Sequence, residues 1–205
     1  EYVFIKDIRK SKIKNIIDIE GQEILEEIKK DNKPVIFISG HFSNFELMAM
    51  HIEKSGINLS ALYRPLNNNF LNFIMERIRK KYICKKQIKK GVSGTRELLN
   101  SFKNNISIAL MIDQRVSQGI RSNFFSHPAL TTTIPAQFAK KFNCKIIPVY
   151  IERKEDVNFK LTVSRPVQYN SDDSVETITL KLNGLLEEMI LKNPDQWIWS
   201  HNRWK

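Results

Sequence analysis

Strands alternating with helices along the chain predict an α/β domain: a mainly parallel central sheet flanked by helices. Three observations carry this expectation. Val35-Ile36-Phe37-Ile38, a continuous apolar run rich in β-branched residues, reads as a fully buried strand, and 106–112 and 145–151 read as further strands. Longer stretches between them place apolar residues at helical spacing, as in Phe70, Leu71, Phe73, Ile74 and Ile78. Gly56, Pro65 and Asn193-Pro194 punctuate the joins. At 205 residues the length fits one domain, 1–205, with residues 1–33 as a helical lead-in.

The elements follow in order. Residues 1–31 carry a helical period (Ile13, Ile16, Ile17, then Ile24, Leu25, Ile28) broken at Gly21, with lysines outward. Pro34 introduces the strand Val35-Ile36-Phe37-Ile38, and Ser39-Gly40-His41-Phe42-Ser43-Asn44-Phe45-Glu46 turns from it into a helix reaching Lys54. Leu59-Ser60-Ala61-Leu62-Tyr63 reads as a second strand. After the turn at 64–69 comes an amphipathic helix with a basic end: Arg77, Arg79, Lys80 and Lys81, then Lys85 and Lys86. The segment 89–95, with Gly91 and Gly94, reads as a capped turn before a helix at 96–102; a phosphate-holding loop is the alternative. The third strand, 106–112, ends on Asp113-Gln114-Arg115, polar residues that belong beside those at the end of the first strand if the sheet is parallel. A loop at 119–129 holds Phe124, Phe125 and Pro128, and Thr131-Thr132-Thr133 opens a helix through Phe142. Strands at 145–151 and 159–163 and a long helix at 175–191 complete the regular structure. The tail places Trp197, Trp199 and Trp204 among basic groups, either as an interfacial belt or packed beneath the sheet.

An apolar content of 41% with 27% charged residues is ordinary for a globular fold, but the net charge of +11 is not. It points to an anionic partner: nucleic acid, an anionic membrane surface, a phosphorylated substrate or an acidic carrier protein. Abundant Lys, Asn and Ile also follow from an AT-rich gene. Cys84 and Cys144 have no metal or disulfide spacing. No apolar run approaches the roughly 20 residues of a membrane span. The chain opens on Glu1 without an initiator Met, so an N-terminally truncated form is expected.

The chemistry concentrates at the first strand's exit. His41 is delivered where a buried strand turns into a helix, and Glu46 follows five residues later. On a regular helix these positions lie about 140° apart. With His41 in a non-helical entry segment, its ring can fold back toward the carboxylate, as a general base oriented by an acid. An accidental His and Glu that merely stabilise the turn is the alternative. His51, ten residues from His41, does not complete a zinc helix, and no metal or cofactor is called for.

These segments together resemble the lipid A biosynthesis acyltransferases, the lauroyl and myristoyl transferases. Ile38 to Glu46 is similar to the family's HxxxxE signature, shared in kind with glycerolipid acyltransferases. Tyr63-Arg64-Pro65-Leu66-Asn67-Asn68 with Arg77-Ile78-Arg79 resembles its second block. Asp113-Gln114 with Gly119 and Phe124-Phe125 resembles the third, and Trp199 to Lys205 the closing block. Phe45 stands where Trp is usual, Arg115 where an acid or amide is, and Ser126 where Gly is common. The resemblance implies a glycerolipid-acyltransferase-like fold and an O-acyltransferase using an acyl thioester.

On that resemblance, acyl carrier protein is the donor and a hydroxyl or hydroxyacyl group of a lipid A precursor the acceptor. His41 is the base, Glu46 orients it, and transfer is direct. Arg79, with Arg77 and Arg64, faces phosphate or the oxyanion, while Asp113 and Gln114 serve the acceptor or Arg79. For Arg77 and Arg79 a solvated basic helix end is the alternative, and for Asp113 a strand-end cap. The implied location is the cytoplasmic face of the bacterial inner membrane, peripheral in this form. An acyltransferase for another glycolipid or a phospholipid precursor is the nearest alternative. A basic nucleic-acid-binding domain is the alternative of another class, but no signature of one appears. An inactive lipid-binding relative is opposed by retention of both His41 and Glu46.

Overall fold

The computed structural model describes residues 2–12 and 16–204; Ile13 of the lead-in period and Lys205 lie outside them. After a short helix α1 (Ile5–Arg9) comes β1 (Ile17–Glu20), then α2 (Gln22–Asp31), β2 (Ile36–Ser39), α3 (Glu46–Lys54) and β3 (Leu59–Tyr63). The chain continues through α4 (Asn69–Tyr82), β4 (Lys86–Lys89), α5 (Val92–Lys103) and β5 (Ser107–Met111). A hairpin, β6 (Ile120–Phe124) and β7 (His127–Thr131), precedes α6 (Ile134–Phe142), β8 (Ile146–Arg153), β9 (Phe159–Val163) and α7 (Val175–Lys192).

Seven strands form one sheet in the order β1-β9-β8-β2-β5-β3-β4. All neighbours are parallel except β8 and β9. Every residue of β2 is buried, as a strand covered on both faces requires. The mainly parallel α/β architecture is as expected. Because β5 inserts between β2 and β3, the ends of β2 and β5 lie side by side at the carboxyl edge, where ligands of such sheets bind.

Several local expectations change. The lead-in is not wholly helical: Ile17-Asp18-Ile19-Glu20 alternates with period two and pairs with β9 as an edge strand. The other edge is β4, drawn from the basic stretch, with Ile88 buried and lysines outward in the manner of a protected edge. The expected loop at 119–129 is a hairpin whose two-residue turn, Phe125-Ser126, has φ of 50° and 61°. That left-handed pair is the geometry of a type I′ turn without its usual Asn-Gly. Glu187 of α7 supports it by accepting the Phe125 amide at 2.8 Å. Thr131 closes β7 instead of opening a helix, and α6 begins at Ile134 with Pro135 in its first turn.

Gly21, at φ 84°, makes the β1–α2 turn; a Cβ there would lie 2.1 Å from the Val163 carbonyl oxygen. The three tryptophans differ in burial, although Trp199 sets its ring edge-on to Trp197, centroids 4.6 Å apart. Trp197 is buried, Trp199 points outward, and Trp204 stacks on Phe124 while its Nε1 donates to the Phe124 carbonyl.

Near the tail's end Arg203 is fully buried, donating to Leu130 O and Thr131 Oγ1 at 2.7 Å each. Asn183 of α7 also donates to Thr131 Oγ1, at 3.3 Å, and to Asn123 O at 2.9 Å. One hydroxyl thus joins tail, hairpin and α7. Thr131→Val keeps the shape and removes the acceptor, a loss of about 1–3 kcal/mol. Thermal melting should show a Tm lowered by roughly 2–10 °C; an unchanged Tm would show that this junction contributes nothing.

Candidate active site

The register of the sheet builds the site. β2 and β5 pair from Ile36 with Ile108 to Ser39 with Met111, a constant offset of 72 residues. Continued two residues past the last pair, that offset places His41 beside Asp113. The imidazole Nδ1 lies 2.8 Å from Asp113 Oδ1, and the His41 backbone N–H donates to Oδ2 at 2.7 Å. Trp197 Nε1 donates to the same Oδ2 at 2.9 Å. Asp113 is 3% exposed. Burial alone would raise its pKa, but the hydrogen bonds and charge of His41 and the Trp197 donor bring it below the usual carboxylate value. An ionised carboxylate accepts only, so Nδ1 carries a proton, and in the neutral ring Nε2 keeps the free lone pair.

His41 stands in the non-helical segment between β2 and α3. Gly40 precedes it where a Cβ would lie 2.9 Å from the Phe42 ring and 3.0 Å from Leu186. The tail clamps this segment: Ser43 N donates to Gln196 O at 2.8 Å and Ile198 N to His41 O at 3.0 Å. Phe45 sets its ring edge-on to the imidazole, centroids 4.8 Å apart.

The expected pairing of Glu46 with His41 is corrected. Glu46 is the first residue of α3, and the chain reaches it through Ser43 at φ 42°. Its carboxylate takes Arg79: Nε donates to Oε1 at 2.7 Å, and Nη2 bonds the same oxygen. The acid on His41 is Asp113, which the sequence reading had assigned to Arg79, the acceptor or a strand-end cap. Of the other expected residues, Gln114 is half-buried beside Asp113, and Arg64 is exposed after β3. Arg77 is exposed and lies about 200° around α4 from Arg79, so it does not join the Glu46 pair.

A cleft of 690 Å³ runs beside the dyad, lined by Ser43, Asn44, Phe45, Glu46, Met75, Arg79, Arg153 and the 195–198 segment. His41 is not on its lining, but Phe45 and Trp197 are, and these touch the imidazole and Asp113 respectively. Sequence reasoning missed Trp197 as the third donor to Asp113, for which no signal beyond the Trp-rich tail existed. It also missed His201, half-buried and within electrostatic reach of Asp113 and His41. Burial lowers the His201 pKa, with Asp113 opposing.

Cys84 and Cys144 are buried thiols whose pKa burial raises to about 12, so neither is a ready nucleophile. No cluster of three or more metal-ligating side chains occurs among the described residues. Nor is any helix among them long and apolar enough to cross a membrane.

Comparison with known proteins agrees with the resemblance. The family model for bacterial lipid A biosynthesis acyltransferases matches residues 1–205. A lipid A biosynthesis acyltransferase of Haemophilus influenzae is 25% identical over 204 residues, covering 95% of this chain and 62% of that protein. The lipid A biosynthesis palmitoleoyltransferase of Escherichia coli is 22% identical, covering 95% and 63%. The lauroyltransferase of the same organism is 23% identical, covering 92% and 61%. The chain thus spans little more than three fifths of these relatives' length. Among solved structures, the 1-acyl-sn-glycerophosphate acyltransferase PlsC of Thermotoga maritima superposes with a TM-score of 0.54 at 15% identity. That match covers 96% of this chain and 79% of that one, a likeness of fold. A seven-stranded α/β sheet carrying the HxxxxE turn at its carboxyl edge and a family match from end to end lead to one conclusion: the chain belongs to the bacterial lipid A biosynthesis acyltransferase family.

Proposed function

We propose that this domain moves a fatty acyl chain from an acyl carrier protein thioester to a hydroxyl of a lipid A precursor, with His41 as general base and no covalent acyl-enzyme. The observation that carries the reading is the His41–Asp113 pair, formed where two adjacent buried strands end. Asp113 holds Nδ1–H, leaving Nε2 to take the acceptor's hydroxyl proton. The freed oxygen attacks the thioester carbonyl carbon, and the carbonyl electrons move onto oxygen. When the tetrahedral species collapses, the C–S bond breaks and the imidazolium returns its proton to the departing thiolate. Asp113 stabilises that imidazolium while it lasts.

In this reading Glu46 acts through Arg79. The carboxylate fixes a guanidinium whose planar fork suits phosphate or oxyanion oxygens at the cleft. The reaction asks for no cofactor or metal. The carrier protein is acidic in this reading, and exposed Lys85, Lys89 and Lys90 offer it a docking surface. Work at the cytoplasmic face of the inner membrane follows from the lipid acceptor.

Two double-mutant cycles test the pairing. His41→Ala should lower turnover by roughly 10²–10⁴-fold, with Asp113→Asn in the same range and the double variant little worse than His41→Ala. Glu46→Gln and Arg79→Ala should couple to each other in the same way. Rates are compared only among variants that melt like the parent. Strong coupling of Glu46 to His41, with none between Asp113 and His41, would reverse the assignment; a folded His41→Ala protein at near-normal rate would end it.

The donor assignment is tested with salt. Turnover on acyl carrier protein should fall steeply with ionic strength and more than turnover on acyl-coenzyme A, since charge complementarity acts chiefly on encounter rate. Equal slopes would remove the case for a carrier-protein surface.

A further inference from the structure

Helix α4 turns a run of its apolar residues outward. Its inward side mixes Ile78 and Tyr82, which pack against the core, with polar groups: Arg79 donates to Glu46, Glu76 accepts from the Tyr63 hydroxyl and from Asn72 Nδ2 at 2.7 Å, and Asn72 Oδ1 accepts the Leu66 amide at 2.9 Å. Other apolar side chains of the helix face out. Phe70 is 71% exposed, Phe73 64% and Ile74 38%, and no residue of the helix is buried. A surface helix ordinarily turns the apolar stripe to the core and the polar one to water.

The stripe has a second half. Phe70, Phe73, Ile74, Arg77 and Lys81 fall at i, i+3, i+4, i+7 and i+11, one line along the helix. Arg77 and Lys81 are exposed, so the line runs from apolar at its start to cationic at its end. That start follows the end of β3 after the turn at 64–68, and Met75 and Arg79 of the same helix line the cleft.

We propose that this stripe is the surface on which the protein docks to an anionic lipid bilayer. Phe70, Phe73 and Ile74 enter the boundary between headgroups and acyl chains, while Arg77 and Lys81 meet lipid phosphates. Charge selects this occupant. A second copy of a chain of net charge +11 brings like charge to Arg77 and Lys81, whereas an anionic bilayer brings the opposite sign. The inference rests on the acyltransferase reading for its purpose, which is to set the cleft against the membrane that holds a lipid acceptor.

The test uses an environment-sensitive fluorophore on Ile74→Cys, with Glu97→Cys on α5 as the control site. Vesicles contain phosphatidylglycerol with phosphatidylethanolamine, or phosphatidylcholine alone. The expected result is a blue shift at position 74 with anionic vesicles and none at position 97. Phe70→Glu combined with Phe73→Glu should weaken vesicle binding by roughly tenfold or more, given the apolar area withdrawn from water. Turnover on detergent-dispersed acceptor should stay within about twofold of the parent. A water-like signal at position 74 on protein that sediments with vesicles would overturn the proposal, as would unchanged binding by the double variant. A blue shift without vesicles would also overturn it: dependence on protein concentration would identify a second copy as the occupant, and independence another segment of a longer chain. Absence of turnover in detergent by the parent would strike the acyltransferase reading and leave the docking result standing.

Discussion

The carboxylate of Asp113 is the joint on which the site depends. It receives the His41 amide, the His41 ring and the Trp197 indole, and so ties the exit of β2, the exit of β5 and the tail. A buried carboxylate with fewer donors would take up a proton and lose its hold on the imidazole. With these three it stays charged, and the charge sets which ring nitrogen is free. The tail's pairing with residues 41–43 therefore bears on the proposed chemistry as well as on packing.

Much of this was legible in the sequence. The apolar run before Gly40 announced a buried strand, and the helix formers after Glu46 announced a helix, so His41 was placed correctly at the turn. Polar residues ending the third strand were expected beside it in a parallel sheet, and Asp113 is one of them. The partnership was not legible. Glu46 is near His41 in sequence and Asp113 is 72 residues away, and only the register of β2 with β5 decides which carboxylate reaches the ring. Register depends on how two buried strands slide into place, which neither strand records alone.

The elements missed have two causes. Residues 17–20 and 86–89 form edge strands, held on one side only, so their apolar content is too low to stand out from the charged stretches around them. The hairpin at 120–131 hid because its turn is Phe125-Ser126, residues that rarely occupy left-handed backbone unless something holds them; here Glu187 caps the Phe125 amide. Helix α4 shows the opposite case. Its apolar period was plain, but the period says nothing of which way the face turns. Glu46 and Tyr63, supplied by other elements, draw its polar side inward.

The segment 196–204 is synthesised after every group it binds. Gln196 brackets Arg153 and meets Ser43, Trp197 reaches Asp113, and Arg203 holds Leu130 and Thr131. A nascent chain can therefore lay down the sheet and bring the ends of β2 and β5 together while Asp113 still lacks its third donor. On that order of synthesis, the geometry proposed for catalysis is completed after the strands of the sheet are made. A chain cut short before Trp197 would keep most of its core and lack the clamp over His41, leaving a body that is nearly whole around a site that is not yet set.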